Sequence, residues 1–429
     1  MDEPEERVVV SPRRGSRPLW AEIDLAAVRA NARLLANAAS PAALCAVVKA
    51  DAYGHGAVHV GRVALEGGAS WLAVATVEEG VELRDAGISA PVLLLSEPPP
   101  EAMRDVVEAS LTPAVYSLTG VEAAERAAAG AGTTLAVHVK VDTGMHRVGT
   151  DPSELETVVS AVRSAAHLEY GALWTHMAVA DGTSDEDREF TAEQLRRFTD
   201  IRRQVDRSGA PAPIAHAANS AATICLPESR LDMVRCGIAL FGVLPSPALE
   251  DAFADFSKKT AGASSTEAGD SEDGPGAPDA VLRPALSLRA EVSWVRHLEA
   301  GERPSYGRLR PLAVPSVVAT VPGGYADGIP RRYFGAGGTV LVGGKRRPLA
   351  GVVTMDQIVV DCGPDAEVEV GDEVVLIGEQ AGQRITAWDW AEVLGTISYE
   401  VLTGIGPRVD RVFVDRACDH GWSEHGLSR

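Results

Sequence analysis

Basic residues are scarce against acidic ones: 40 Lys and Arg face 60 Asp and Glu, for a formal net charge of -20. That balance repels a polyanion, so nucleic acid is not an expected partner. Cysteine is rarer still. Cys45, Cys225, Cys236, Cys362 and Cys418 are the only ones, odd in number and with no close pair at metal-ligand or redox-motif spacing. They read as reduced thiols of a cytoplasmic protein, with no metal site. No run reaches the uninterrupted apolar length of a membrane span, and MDEPEERVVVSPRRGSRP lacks the apolar segment of a secretory signal. Aromatic residues are only 5% of the chain, yet hydrophobic residues make up 45% of its 429 positions, enough for large cores in two or three domains.

From Leu19 to Gly242 short apolar runs alternate with segments of helical period. The runs are LCAVV (44–48), WLAVAT (71–76), PVLLLS (91–96), LTPAVYS (111–117), LAVHVKVD (135–142), YGALWTHMA (170–178), IAHAANS (214–220) and MVRCGIALFG (233–242). Eight such runs, with helical segments such as VEEGVELRDAG (77–87) between them, predict an α/β fold with a closed (β/α)8 barrel. An open doubly wound sheet is the rival, but no Gly-rich dinucleotide turn follows the first run.

After Pro245 small and acidic residues dominate up to Ala280, and apolar periodicity fades. From Leu286 onward β-branched runs such as SVVATV, QIVVDC and EVVLIG, broken by Gly and Pro, predict a mainly β domain. The expected organisation is a flexible tail over 1–16, a barrel over 17–246, a disordered insertion over 247–283, a β-rich domain over 284–418 and a tail over 419–429.

Barrel sites are built at the C-terminal ends of the strands. Lys49 ends the first run, Arg147 follows the fifth, His176 ends the sixth, Asn219 and Ser220 close the seventh, and Arg235 and Gly237 lie in the eighth. A lone lysine leaving an apolar strand is desolvated, which lowers its pKa and favours a Schiff base; on position alone, a lysine snorkelling from a strand end is the other reading.

VVKADAYGHG (47–56) resembles the cofactor-lysine motif of the alanine racemase family. The resemblance implies that Lys49 carries pyridoxal 5′-phosphate as a Schiff base, with Tyr53 near the phosphate. KVDTGMHRVG (140–149) is similar to the next family signature and implies that Arg147 meets the cofactor's ring oxygen and the substrate carboxylate. It also implies that Lys140, carbamylated in many relatives, orients that arginine. His146 stands where the family usually has Gly.

WTHMAVAD (174–181) resembles the segment whose histidine, here His176, links the catalytic tyrosine to an arginine. AANSAAT and RCGIALFG imply a phosphate cup of Asn219, Ser220, Gly237 and Ile238. Arg235 is implied to face the pyridine nitrogen. A guanidinium cannot accept that nitrogen's proton, so the ring becomes a weaker electron sink and proton handling by nearby bases matters more.

Racemisation removes the α-proton from one face and returns one to the other, so a base on each face is the economical arrangement. Lys49 serves one face. RPSYGRL (303–309) resembles the family's S-Y-G segment and implies Tyr306 as the second base, contributed by the partner copy of a homodimer together with Met355 and Asp356 of GVVTMDQ (351–357). GGYADG (323–328) implies Tyr325 at the substrate entrance, and ISYEV (397–401) implies Tyr399 at the phosphate.

The resemblance runs from about Leu19 to Phe413, excluding the 247–283 insertion and both tails. It implies interconversion of L- and D-alanine, with D-alanine supplied to peptidoglycan. A decarboxylase of basic amino acids would share the architecture and cofactor but would place an acidic group at the ring nitrogen. A noncatalytic pyridoxal-phosphate carrier would have no use for the region from Leu286 to Phe413. A racemase of serine or another small amino acid is set apart only weakly.

Overall fold

The computed structural model describes residues 17–209, 211–264 and 281–415. The expected tails at 1–16 and 419–429, Cys418 and the stretch 265–280 lie outside the described residues. The chain divides into two units, Val28–Arg283 and a second made of Met1–Ala27 with Pro284–Arg429.

Strands are numbered along the chain. β1 (Leu19–Asp24) belongs to the second unit. The first unit holds β2 (Ala43–Val47), β3 (Ala69–Val74), β4 (Val92–Leu94), β5 (Thr112–Val115), β6 (Leu135–Lys140), β7 (Leu168–Trp174), β8 (Ile214–His216) and β9 (Met233–Cys236). They form one parallel sheet in the order β8-β7-β6-β5-β4-β3-β2-β9. Its two ends approach each other: Asp232 N donates to Ala215 O at 3.1 Å and Arg235 N to Ala218 O at 3.0 Å, so the sheet is a nearly closed barrel.

These strands read as continuous apolar runs because helices cover their outer faces and side chains fill the interior. Between them lie helices whose starts are written locally. Thr76 with Glu79 and Ser184 with Asp187 form capping boxes at the heads of Val77–Asp85 and Asp185–Arg207.

In the second unit, β10 (Leu286–Glu291), β11 (Trp294–Leu298), β12 (Ser316–Pro322), β13 (Thr339–Val342), β14 (Lys345–Pro348), β15 (Gln357–Gly363), β16 (Glu373–Gln380), β17 (Gln383–Ile385) and β18 (Asp410–Val414) complete a mainly β domain. One sheet runs β14-β13-β16-β10-β1-β18, with β17 on β16, and a smaller one runs β11-β12-β15. β1 was expected within the 17–246 barrel. Instead it pairs antiparallel with β10, Ala21 opposite Leu288, and parallel with β18. Its residues alternate buried and half-buried, as suits a strand covered on one face, whereas barrel strands such as β4 and β5 are buried throughout.

The 247–283 insertion was expected to lack structure. Its first part is helical, with a 3-10 turn at Pro247–Leu249 leading into a helix at Glu250–Ser264. Leu249 and Phe256 are buried, and the Arg230 guanidinium lies 5.7 Å from the Phe256 ring centroid. Leu249, Phe253 and Phe256 stand at the i, i+4, i+7 spacing of one helix face, which supplies the physical reason.

Candidate active site

The first unit gathers nearly all its expected site residues at the C-terminal ends of the strands. Lys49 follows β2 by two residues and opens a tight turn, Lys49–Gly54, in which Ala50, Asp51, Ala52 and Tyr53 all have φ between 50° and 56°. The left-handed conformation disfavours each of them by about 1–2 kcal/mol, so the turn must be held from outside. Ala50 N donates to Glu79 Oε1 at 2.6 Å, Ala57 N to Asp51 Oδ1 at 2.7 Å and Ala52 N to Val48 O at 2.8 Å. Burial, reinforced by the Arg147 charge, lowers the Lys49 pKa, and Glu79 opposes the shift.

The turn delivers the Tyr53 ring into the barrel mouth, 5.0 Å from Phe241. Burial pushes the Tyr53 phenol up to about 12. A Cβ at Gly237 would collide with the Tyr53 hydroxyl, so glycine there makes room for the phenol. Ser220 Oγ accepts from Gly237 N at 3.0 Å and from Ala239 N at 3.5 Å. Asn219 caps the following turn, with Oδ1 accepting from Ala222 N at 3.0 Å. Ile238 opens a 3-10 turn over Ile238–Phe241. Tyr53, Ser220, Gly237 and Ile238 therefore share one corner.

Arg235 is buried in the barrel. Its NH1 donates to His216 Nδ1 at 2.8 Å, and its NH2 donates to Thr175 O at 2.9 Å, Ala217 O at 3.0 Å and His176 Nδ1 at 3.2 Å. The guanidinium also lies 4.7 Å from the Trp174 ring centroid. Burial lowers its pKa to about 10, which leaves it cationic at neutral pH. The same burial, then the Arg235 charge, holds His176 and His216 well below the usual imidazole range. Both imidazoles are neutral, and each presents its unprotonated Nδ1 to a donor that never gives up its proton.

Lys140 closes β6 and is buried, its Nζ 4.3 Å from the Trp174 ring centroid. Desolvation, with Arg235 and Arg147 nearby, lowers its pKa to about 7. Arg147 itself is exposed on the loop after β6. In that loop His146 adopts φ 54°, the left-handed region that favours glycine, and its ring lies 3.5 Å from Asp142.

The second unit carries the remaining residues. Tyr306 begins a short 3-10 turn at Tyr306–Arg308 and is 69% exposed. Its loop is tied to the 351–357 segment, since Ser305 Oγ donates to Val352 O at 2.6 Å. Tyr325 N donates to Thr354 O at 3.0 Å and Ala326 N to Met355 O at 3.1 Å, which joins the Tyr325 turn to the same segment. Tyr325 and Met355 are exposed too. Asp356 accepts from Arg408 NH2 at 2.7 Å. Tyr399 is half-buried in the helix Ser398–Thr403.

Two family models match, alanine racemase N-terminal domain over residues 23–245 and alanine racemase C-terminal domain over residues 285–413. The chain belongs to the alanine racemase family. Among its relatives, the alanine racemase of Symbiobacterium thermophilum is 42% identical, over 93% of this chain and 98% of its own. That of Streptomyces coelicolor is 40% identical, over 92% and 95%. A crystal structure of alanine racemase from a D-cycloserine-producing Streptomyces lavendulae superposes with a TM-score of 0.82 at 38% identity, covering 95% of this chain and 99% of that one. The Bacillus anthracis alanine racemase with bound L-Ala-P gives 0.81 at 33% identity, covering 94% and 96%.

As an alanine racemase homologue the chain carries more site polarity than its motifs expressed. His138, Thr143, Thr175, Gln194 and His216 are buried polar residues that the sequence reading passed over. Thr143 and Thr175 hydroxyls meet at 2.8 Å, and Gln194 reaches Ala178 N and His176 O. The available signal was a polar residue inside a barrel run: LAVHVKVD and IAHAANS each hold a histidine that a purely apolar core would not.

Proposed function

We propose that the protein is a pyridoxal-phosphate-dependent racemase interconverting L- and D-alanine as a homodimer. The residues at the barrel mouth fit that cofactor: a half-buried lysine amine with a lowered pKa, a glycine cradle under the Tyr53 phenol, and an arginine deep in the barrel. Lys49 would hold the aldehyde carbon, Tyr53, Asn219, Ser220, Gly237, Ile238 and Tyr399 the phosphate, and Arg235 the ring nitrogen. When bound, the cofactor supplies a conjugated ring that delocalises the electron pair left on the substrate's Cα.

The chain's own residues handle binding and protons. Lys49 Nζ takes or returns the Cα proton on one face. The Tyr306 hydroxyl of the partner subunit does so on the other, which makes dimerisation part of catalysis. Arg147 orients the substrate carboxylate, and Tyr325, Met355 and Asp356 narrow its approach. His176 Nδ1 accepts from Arg235, so its proton sits on Nε2, where it can steady a phenolate as a donor. Lys140 is neutral in part near pH 7 and so open to carbon dioxide; as a carbamate it becomes an anion facing Arg147 and replaces repulsion by attraction. The product feeds D-alanine to peptidoglycan in the cytoplasm.

The observation that carries the reading is the buried Arg235 flanked by two neutral imidazoles, together with a lysine of lowered pKa two residues beyond β2, in a chain whose family is alanine racemase. Incubation with L-alanine and, separately, L-serine in deuterated water tests it. Deuterium at Cα with loss of chirality is expected for alanine. Faster exchange with serine would move the assignment to a serine racemase, and exchange with neither would end it.

A further inference from the structure

His138 projects into the barrel from β6 and is buried, and none of the site motifs includes it. Its Nδ1 lies 3.2 Å from His216 Nε2. The neighbouring strand is shaped around it. A Cβ at Gly171 would stand 3.2 Å from His138 Cδ2 and 3.4 Å from its Nε2, and Gly171 has no positive φ to explain it otherwise. Trp71 covers another side, with ring centroids 5.2 Å apart.

Proton positions along this line follow from one fixed donor. Arg235 NH1 can only donate, so His216 Nδ1 accepts and the single proton of neutral His216 sits on Nε2. That proton points at His138 Nδ1, which must therefore accept, leaving the His138 proton on Nε2.

We infer that His138 is a positioning residue of the racemase site: by accepting from His216 Nε2 it fixes the ring that anchors Arg235. The inference rests on the proposed function for its catalytic consequence, and on hydrogen-bond geometry alone for its tautomers. Protonating either imidazole would turn a donor against the Arg235 line, and the environment opposes it; burial, then the Arg235 charge, lowers the His138 pKa to about 3. Without an acceptor at position 138 the His216 N–H is buried and unpaired, so its ring has reason to turn away and release one of the bonds on Arg235.

The test compares His138→Leu, which fills most of the space but offers no acceptor, with His138→Asn, which is smaller but keeps a carbonyl oxygen. In holoenzyme with isotope-labelled histidine, heteronuclear NMR should place the His216 proton on Nε2 in the wild type and in His138→Asn, and show that signal shifted or exchange-broadened in His138→Leu. Alanine turnover should fall about tenfold in kcat for His138→Leu with KM nearly unchanged, and within about threefold for His138→Asn, as loss of one buried hydrogen bond implies. The opposite order, Leu active and Asn impaired, would show that only volume matters and overturn the inference. A wild-type His216 proton on Nδ1 would overturn it as well, even where neither variant folds. Wild-type protein that shows these tautomers but does not racemise alanine would remove the proposed function and leave the hydrogen-bonded line intact.

Discussion

The Ala50 amide donates to Glu79 Oε1 at 2.6 Å, one residue beyond Lys49. The other oxygen of the same carboxylate accepts from Ala75 N at 2.7 Å and Thr76 N at 3.2 Å. One side chain thus caps the helix after β3 and restrains the left-handed turn that aims Lys49. Glu79→Ala should cost about 1–2 kcal/mol of stability and accelerate loss of cofactor on dialysis, because the turn can then relax. Thermal unfolding and cofactor retention, read together, check it. Unchanged retention would mean that the turn needs no support from Glu79.

Lys49 and Tyr306 separate in their expected signatures. Lys49→Ala should abolish both the visible absorbance of bound cofactor and turnover. Tyr306→Phe should keep the colour and lose racemisation, most severely in the direction that starts with proton removal by the phenol. Racemisation retained in Tyr306→Phe would refute the two-base assignment.

The barrel was legible because parallel strands buried on both faces leave unbroken apolar runs, and each of the eight runs contains or overlaps one observed strand. β1 was not, since LWAEID pairs with strands more than two hundred residues away and nothing local reveals its partner. Lys49, Arg235 and Tyr306 are singled out by motifs; position alone left Lys49 open between a Schiff-base lysine and one snorkelling from a strand end. The imidazoles of His138 and His216 escaped because each hides in a run read for its hydrophobicity. Their meaning emerges only when adjacent strands bring Arg235 to His216.

Gly237 and Tyr53 compete for one space. Gly237→Ala should press a methyl group into the Tyr53 hydroxyl and weaken cofactor binding by about tenfold, while Tyr53→Phe removes the atom most in the way. The double variant should bind more tightly than the two separate losses predict, by a coupling of about 1 kcal/mol. Additive losses in cofactor titrations would show that the glycine serves something other than the phenol.

Lys140 ties stability to pH in a stated direction. Its folded pKa of about 7 lies below its ordinary value of 10.5, so the folded chain resists the proton that the unfolded chain takes up. Stability should therefore fall as pH drops from the ordinary value toward the folded one, and level off below it. Bicarbonate should oppose the loss by converting the neutral amine to a carbamate. Melting temperatures at about pH 9 and about pH 6, with and without bicarbonate, are expected to show both trends in wild type and neither in Lys140→Met. Equal bicarbonate effects in the two proteins would rule out carbamylation at this position.

Asp327 is the hub of the second unit's loops. It is buried, pairs with Arg17 through both oxygens, accepts from Gly324 N at 2.8 Å and lies 3.4 Å from Arg408 Nε. Arg408 continues to Asp356 at 2.7 Å, so one carboxylate links the Tyr325 turn to the segment carrying Met355 and Asp356. Removing it takes the carboxylate from Arg17, Arg408 and the Gly324 amide, while Arg408 keeps Asp356 and Arg17 keeps the Asp356 carbonyl. Asp327→Ala should cost on the order of 2–3 kcal/mol, below the figure for a fully buried pair because both arginines are partly exposed to water. If these turns shape the substrate approach, the alanine KM should rise several-fold while kcat holds, because neither base is touched. Asp327→Asn, which retains one acceptor, should fall between. A large drop in melting temperature with KM unchanged would confine the hub to stability and detach Tyr325 and Met355 from substrate entry.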